Sequence, residues 1–201
     1  MLGRLRSATQ PIHRDLEQVL HGFADVDSAE KYEALLRRYL TVYEGLAEAA
    51  ARSSVTGGWA DDVSERCEWL KQDLAAIGER TASGSPAAAA AAEPKVADEM
   101  APWRDQAEAA GCFYVVEGSA LGGLRLAREF EARIGVTATR GGRFFAGRGA
   151  RTGARWQAFC AWLESREWSA ADEEAASRRA VATFGWFARN LADPVAGAVG
   201  G

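Results

Sequence analysis

Histidine is scarce in this chain: His13 and His21 are the only two among 201 residues. Neither follows a carboxylate by three residues and both fall in one N-terminal segment, so the paired Glu-x-x-His elements of a di-iron carboxylate bundle are lacking. Cysteine is nearly as sparse. Cys67, Cys112 and Cys160 stand far apart, form no C-x-x-C pair, and with so few histidines offer no zinc-ligand spacing; they read as small buried apolar side chains. There is no uncharged apolar run of about 18 residues, the length a membrane span needs. Met1 to Arg14 lack the apolar core of a secretory signal, so the expected location is cytoplasmic. Basic excess is missing too: a net charge of -4 and a pI near 5.4 argue against a nucleic-acid partner, which would need a basic footprint. No nucleophile elbow and no dinucleotide glycine fingerprint occurs.

What is present is helical periodicity. With 48% hydrophobic residues, seven Trp and eight Phe, the chain can build one real core. Ile12, Leu16, Val19, Leu20 and Phe23 define an amphipathic helix over 7–24. A second helix opens at Asp27, where Asp27 and Glu30 match a capping box, and runs through Tyr32, Leu35, Leu36, Tyr39, Leu40 and Tyr43 to about Arg52. A third, capped by Asp61 or Asp62, carries Val63, Cys67, Leu70, Leu74 and Ile77 and stops at Gly78. Residues 79–95 form an Ala/Ser/Gly/Pro-rich linker. A long helical pattern follows over 97–134, and Gly135 ends it. Residues 136–153 read as a glycine- and arginine-rich loop, followed by helices over 155–165 and 170–191. With no hairpin signal and no internal repeat, the expected fold is all-α, a single-domain irregular helical bundle over 1–192, with a flexible tail at 193–201.

The long helix contains glycines at 111, 118, 122 and 123. Each glycine inside a helix costs roughly 1 kcal/mol relative to alanine, so Gly118, Gly122 and Gly123 together set about 3 kcal/mol against regular helix. Gly111, Val115, Gly118 and Gly122 follow spacings of four, three and four and share one face, which therefore presents bare backbone. Two uses remain open on spacing alone: close packing of another helix, or close approach of a flat ligand. The Gly122-Gly123 pair also permits a kink. His13 lies three and seven residues before Leu16 and Leu20, beside the apolar stripe of its helix, whereas His21 shares a polar side with Glu17 and Arg14. A lone histidine at such a place is ordinarily a satisfied core residue.

The string Phe113-Tyr114-Val115-Val116-Glu117-Gly118-Ser119-Ala120-Leu121-Gly122-Gly123 resembles the distal-helix motif of bacterial heme oxygenases, particularly the biliverdin-producing enzymes associated with bacteriophytochromes. Leu5-Arg6-Ser7-Ala8-Thr9-Gln10-Pro11-Ile12-His13 with Leu16-Glu17, and Arg143-Phe144-Phe145-Ala146-Gly147 with Trp156, are similar to the same family, so the resemblance spans about 4–191. It implies heme as both cofactor and substrate, cleaved to biliverdin, carbon monoxide and iron. It also implies His13 as the axial ligand to iron and Gly118, Ser119, Gly122 and Gly123 as the distal wall, crowding dioxygen toward a ring-edge carbon. Arg6, two helical turns before His13, is the implied propionate partner, with Arg143 a further candidate. Glu117 reads as one half of a structural ion pair with an arginine. Electrons would come from an external ferredoxin or reductase, and a bacteriophytochrome is an implied partner. One departure is clear: animal-type enzymes carry aspartate just after the first glycine, and this chain carries Ser119. A serine hydroxyl can hold water but cannot relay protons as a carboxylate does. The alternative is a non-catalytic heme- or tetrapyrrole-binding protein of the same fold, and a third reading is a helical interaction domain without ligand.

Overall fold

A computed structural model describes residues 1–21, 25–55, 59, 61–82 and 100–192, without the side chains of 17–21, 61 and 82. The side chains of His21, Val19 and Leu20, residue Phe23, the 83–95 part of the expected linker and the 193–201 tail thus lie outside the described residues. Within them the fold is all-α. The elements are α1 (Leu2–His21), α2 (Ala29–Ala51), α3 (Asp61–Ala82), α4 (Gln106–Ile134), the short α5 (Arg143–Ala146), a 3-10 turn (Gly149–Arg151), α6 (Thr152–Glu164) and α7 (Ala170–Leu191). No described helix is long and apolar enough to cross a membrane.

Several element ends differ from the sequence reading, each for a local reason. α1 begins at Leu2 rather than Ser7 because Leu5 is fully buried and holds the extra turn against the core; Pro11 lies inside it. The N-cap of α2 is Ser28, whose hydroxyl accepts from the Lys31 amide, so the Asp27–Glu30 capping box is replaced one residue on. α3 runs through Gly78 to Ala82, because burial of Ile77 and the hydrogen bond from Arg80 to the Ile134 carbonyl tie its last turns to the end of α4. α4 starts at Gln106, where the Asp105 carboxylate accepts from the Glu108 amide. Residues 100–105 are instead a non-helical strap, pinned by Trp103, which is 1% exposed. Gly135 does end α4, at φ 70°.

α7 organises the bundle. Both α4 and α1 pack extensively on it, α2 packs on α3, and α5 and α6 pack on α4. Among the described residues α1 and α4 make little contact with each other, so the two helices that lean on α7 leave a slot between them. The shared core is formed by Leu5, Tyr32, Leu36, Leu46, Val116, Phe130, Phe159 and Trp186, all 1% exposed or less. Cys67 and Cys112 are buried, and burial pushes both thiols up to about 11; Cys160 is half-buried.

Candidate functional site

The slot is a cavity of about 580 Å³, within the range of small-molecule and cofactor sites. α1 supplies His13 and Leu16, α4 supplies Tyr114 and the run 118–126 except Leu124, and α2 contributes Tyr39 and Tyr43. Phe144, Phe145, Trp156, Phe184 and Phe187 close the walls with aromatic rings. The His13 ring stands edge-on to Phe184, with centroids 5.6 Å apart, so α7 steadies the imidazole.

α4 remains one helix through all four glycines, and they divide into two kinds. A Cβ built on Gly111 would sit 2.1 Å from the Ala176 carbonyl oxygen, so this glycine lets α4 and α7 touch backbone to backbone. Packing, not ligand approach, explains it. At Gly118 a Cβ would meet only the Trp156 ring, at 3.5 Å, and at Gly122 nothing lies within 4 Å. Those two positions keep the α4 wall of the cavity bare. Gly123 lines the cavity and also faces the Phe145 carbonyl, 3.3 Å from where a Cβ would be.

Ser119 lines the cavity, and its hydroxyl donates to the Val116 carbonyl at 2.8 Å. Its proton is committed to the helix; its lone pairs remain as acceptors. The cationic group nearest the core on this wall is one the sequence reading passed over. Arg66 of α3 lines the cavity, is 8% exposed, and donates from Nη2 to Glu117 Oε1 at 3.1 Å. Its guanidinium lies over the Tyr43 ring, 5.9 Å from the centroid. Glu117 is therefore half of a structural ion pair, with Arg155 Nε 3.5 Å from its other oxygen. Burial pushes the Glu117 carboxyl above its usual range and the Arg66 charge draws it back. The pairing continues outward: Arg155 and Arg148 both bond Asp62, and Arg148 also bonds Glu65. No spacing rule links residues 66 and 117, so only the packing of α3 on the rest of the bundle brings them together.

The two sequence-nominated arginines part ways. Arg6 lies in an adjoining open depression of about 490 Å³ with Ser7, Thr9, Gln10 and Arg14, and His13 and Tyr114 are common to both hollows. Arg143 does not line the cavity: its guanidinium lies 4.2 Å over the Trp69 ring and donates to the Gly147 carbonyl. Its position by the cavity comes through its backbone. The amides of Arg143 and Phe144 both donate to the Asp73 carboxylate at 2.8 Å, which clamps α5 to α3 and sets Phe144 and Phe145 into the wall. Arg125, exposed on α4, is the arginine that does line the rim.

The residues fit a flat porphyrin. An apolar slot with one imidazole on α1 and bare backbone on α4 can take a macrocycle edge to edge. A porphyrin iron, already held by four ring nitrogens, needs only one protein ligand. Among the described residues no group of three or more His, Cys, Asp or Glu could hold a bare metal ion. The chain matches the family model described as heme oxygenase over residues 1–193. No curated protein matches it.

Proposed function

This chain belongs to the heme oxygenase family, and from that premise we propose that it opens heme to biliverdin, releasing carbon monoxide and iron, at the cavity between α1 and α4. The observation that carries the reading is the joint presence of His13 and the bare positions Gly118 and Gly122 on the wall of one cavity. Bound heme supplies the redox-active iron and is itself the substrate.

In this reading His13 on α1 would hold the heme iron. Gly118 and Gly122 would let a bound porphyrin lie close to α4 backbone, and that bare wall would limit the space open to dioxygen. Ser119 accepts a hydrogen bond from water there. Arg66, oriented by its hydrogen bond to Glu117, would donate to that water and so take over the ordering task that an aspartate after Gly118 would perform. Arg6 and Arg125, near the mouth, receive the propionates. Tyr39, Phe144, Phe187 and Leu191 exclude bulk water. Electrons come from an external ferredoxin or reductase, the location is cytoplasmic, and a bacteriophytochrome is the proposed recipient of the product.

Ser119 gives the alternative its footing: with its proton bonded to Val116, the residue relays none, as suits a protein that binds a tetrapyrrole without turnover. Hemin titration followed by the Soret band, then reductant and oxygen, separates the readings. A Soret shift followed by biliverdin absorption is expected. Binding without conversion under a competent reductase would establish the alternative, and no Soret change would remove both.

A further inference from the structure

Trp156 is the only tryptophan among the cavity-lining residues, and it opens a series of rings that leads away from the cavity. It stacks on Phe159 with centroids 5.9 Å apart and planes 28° apart. Phe159 in turn meets Trp162 at 5.6 Å and Trp59 at 5.0 Å, and Trp162 meets Trp168 at 6.2 Å. Trp168 is only half-buried and sits beyond the end of α6. Three of the seven tryptophans of the chain thus follow one file from the cavity wall toward the surface, with Trp59 packed beside it. Core packing alone would be served by leucine or phenylalanine at these half-exposed places. Indole differs in giving up an electron far more readily than aliphatic groups or phenylalanine.

We propose that Trp156, Trp162 and Trp168 form a relay that carries stray oxidising equivalents from the cavity to solvent, protecting the site during unproductive turnover. This rests on the heme reading above. The oxidant is hydrogen peroxide or a peracid reaching ferric heme: its O–O bond breaks, one oxygen leaves as water or a carboxylic acid, the other stays with the heme, and the heme is left two oxidising equivalents above ferric. Two electrons delivered one at a time through Trp156, with two protons from solvent, return the heme to ferric and release the second oxygen as water. Trp162 then reduces Trp156 across the Phe159 ring, and Trp168 reduces Trp162. The vacancy rests on half-buried Trp168, whose indole N–H stays bonded to the Leu163 carbonyl, and a thiol or ascorbate in solution supplies one electron and releases its own proton to solvent.

Charge decides which rings of the file cannot hold the vacancy. Arg155 lies 4.2 Å over Trp59 and Arg166 5.0 Å over Trp162, and a cation above a ring disfavours positive charge on that ring. Among the described residues no such cation lies over Trp168, whose indole N–H donates to the Leu163 carbonyl at 2.8 Å. Trp162 is therefore a way station and Trp59 a side branch; among the described residues Trp156 and Trp168 lie under no such cation, and of these two only Trp168 stands away from the cavity, where a reductant in solution drains it.

The test uses the full chain loaded with hemin and treated with a stoichiometric aromatic peracid. Radicals are trapped by freeze-quench electron paramagnetic resonance, and oxidised residues are mapped by mass spectrometry. A tryptophanyl signal is expected, with oxygenated indole concentrated at Trp168. Trp162→Phe should keep the Soret band yet lower marking at Trp168 severalfold and shift damage to Tyr114 and the His13 peptide. Trp162→Tyr, which keeps an oxidisable ring, should restore the marking. Equal marking of Trp168 in the Trp162→Phe and unaltered proteins would overturn the relay, as would marking that persists without hemin, or Trp162→Tyr behaving as Trp162→Phe. Failure to take up hemin would overturn the relay and the proposed function together, whereas uptake with unaltered marking overturns the relay alone.

Discussion

At the scale of single residues, identical side chains carry opposite consequences according to what faces them. Gly111→Ala would drive a methyl group into the Ala176 carbonyl, and such overpacking costs typically about 1–3 kcal/mol. Gly122→Ala meets open space, so the unliganded protein should gain about 1 kcal/mol from helix propensity. The same methyl projects toward the slot, and hemin affinity should fall. Chemical denaturation and Soret titration of the two variants test this crossed pattern; stabilisation by both substitutions would contradict it. His13→Ala should abolish the axial-histidine signature of the hemin complex, and added imidazole should restore it. A spectrum unchanged by the substitution would remove His13 as ligand. The residue-level signals were partly legible in the sequence, since His13 and the Gly118–Gly123 run announce themselves by scarcity and by conformational cost. Arg66 did not, because a charged residue in an amphipathic helix looks like solvated surface until a partner from another helix buries it.

At the scale of elements, the wall of the cavity depends on a clamp between α3 and α5. Asp73 is 2% exposed, and burial pushes its carboxyl up while the amides of Phe144 and Arg143 offset part of that cost. Asp73→Ala would strip both amides of their acceptor, a loss of about 1–3 kcal/mol for hydrogen bonds to a charged group. The looser α5 should show itself as faster amide exchange over 142–147 and weaker hemin binding, while Asp73→Asn, with one good acceptor left, should fall between. Helix interiors were legible from apolar spacing, and α7 matched its expected span of 170–191. Ends were not, because they depend on partners elsewhere: α3 passes Gly78 through its tie to the end of α4, and α1 gains a turn through Leu5. The 136–153 segment has loop composition, yet Asp73 and positive-φ glycines at 141 and 147 fold it around α5.

For the whole molecule, Glu108 couples stability to pH. Burial alone would raise its carboxyl, but hydrogen bonds from Arg104 and Arg179 outweigh burial and bring it down to about 2. Arg179 also donates to the carbonyls of Ala101 and Pro102, so this cluster ties the 100–105 strap to α4 and α7. With the folded value below the usual 4.5, the cluster's contribution is complete above about pH 4.5 and is lost as pH falls toward 2. Denaturation midpoints measured across that window should decline more steeply in the unaltered protein than in Glu108→Gln, which is less stable at neutral pH and lacks the titration. Parallel curves would count against the assignment.

Composition and periodicity alone determined that the chain is helical, that it lacks the ligands for a multi-histidine metal site, and that one histidine and one glycine run merit attention. Those are local properties, written in the spacing of side chains along a single helix. Which face of α4 is packed and which is bare was decided only when α7 settled against Gly111 and left Gly118 and Gly122 uncovered. The turning of Arg143 toward Trp69, the delivery of Arg66 to Glu117 and the alignment of Trp156 with Trp168 were decided in the same way. Each joins residues far apart along the chain or on different elements, and the energy that holds them, burial against a shared core, exists only once the helices have packed.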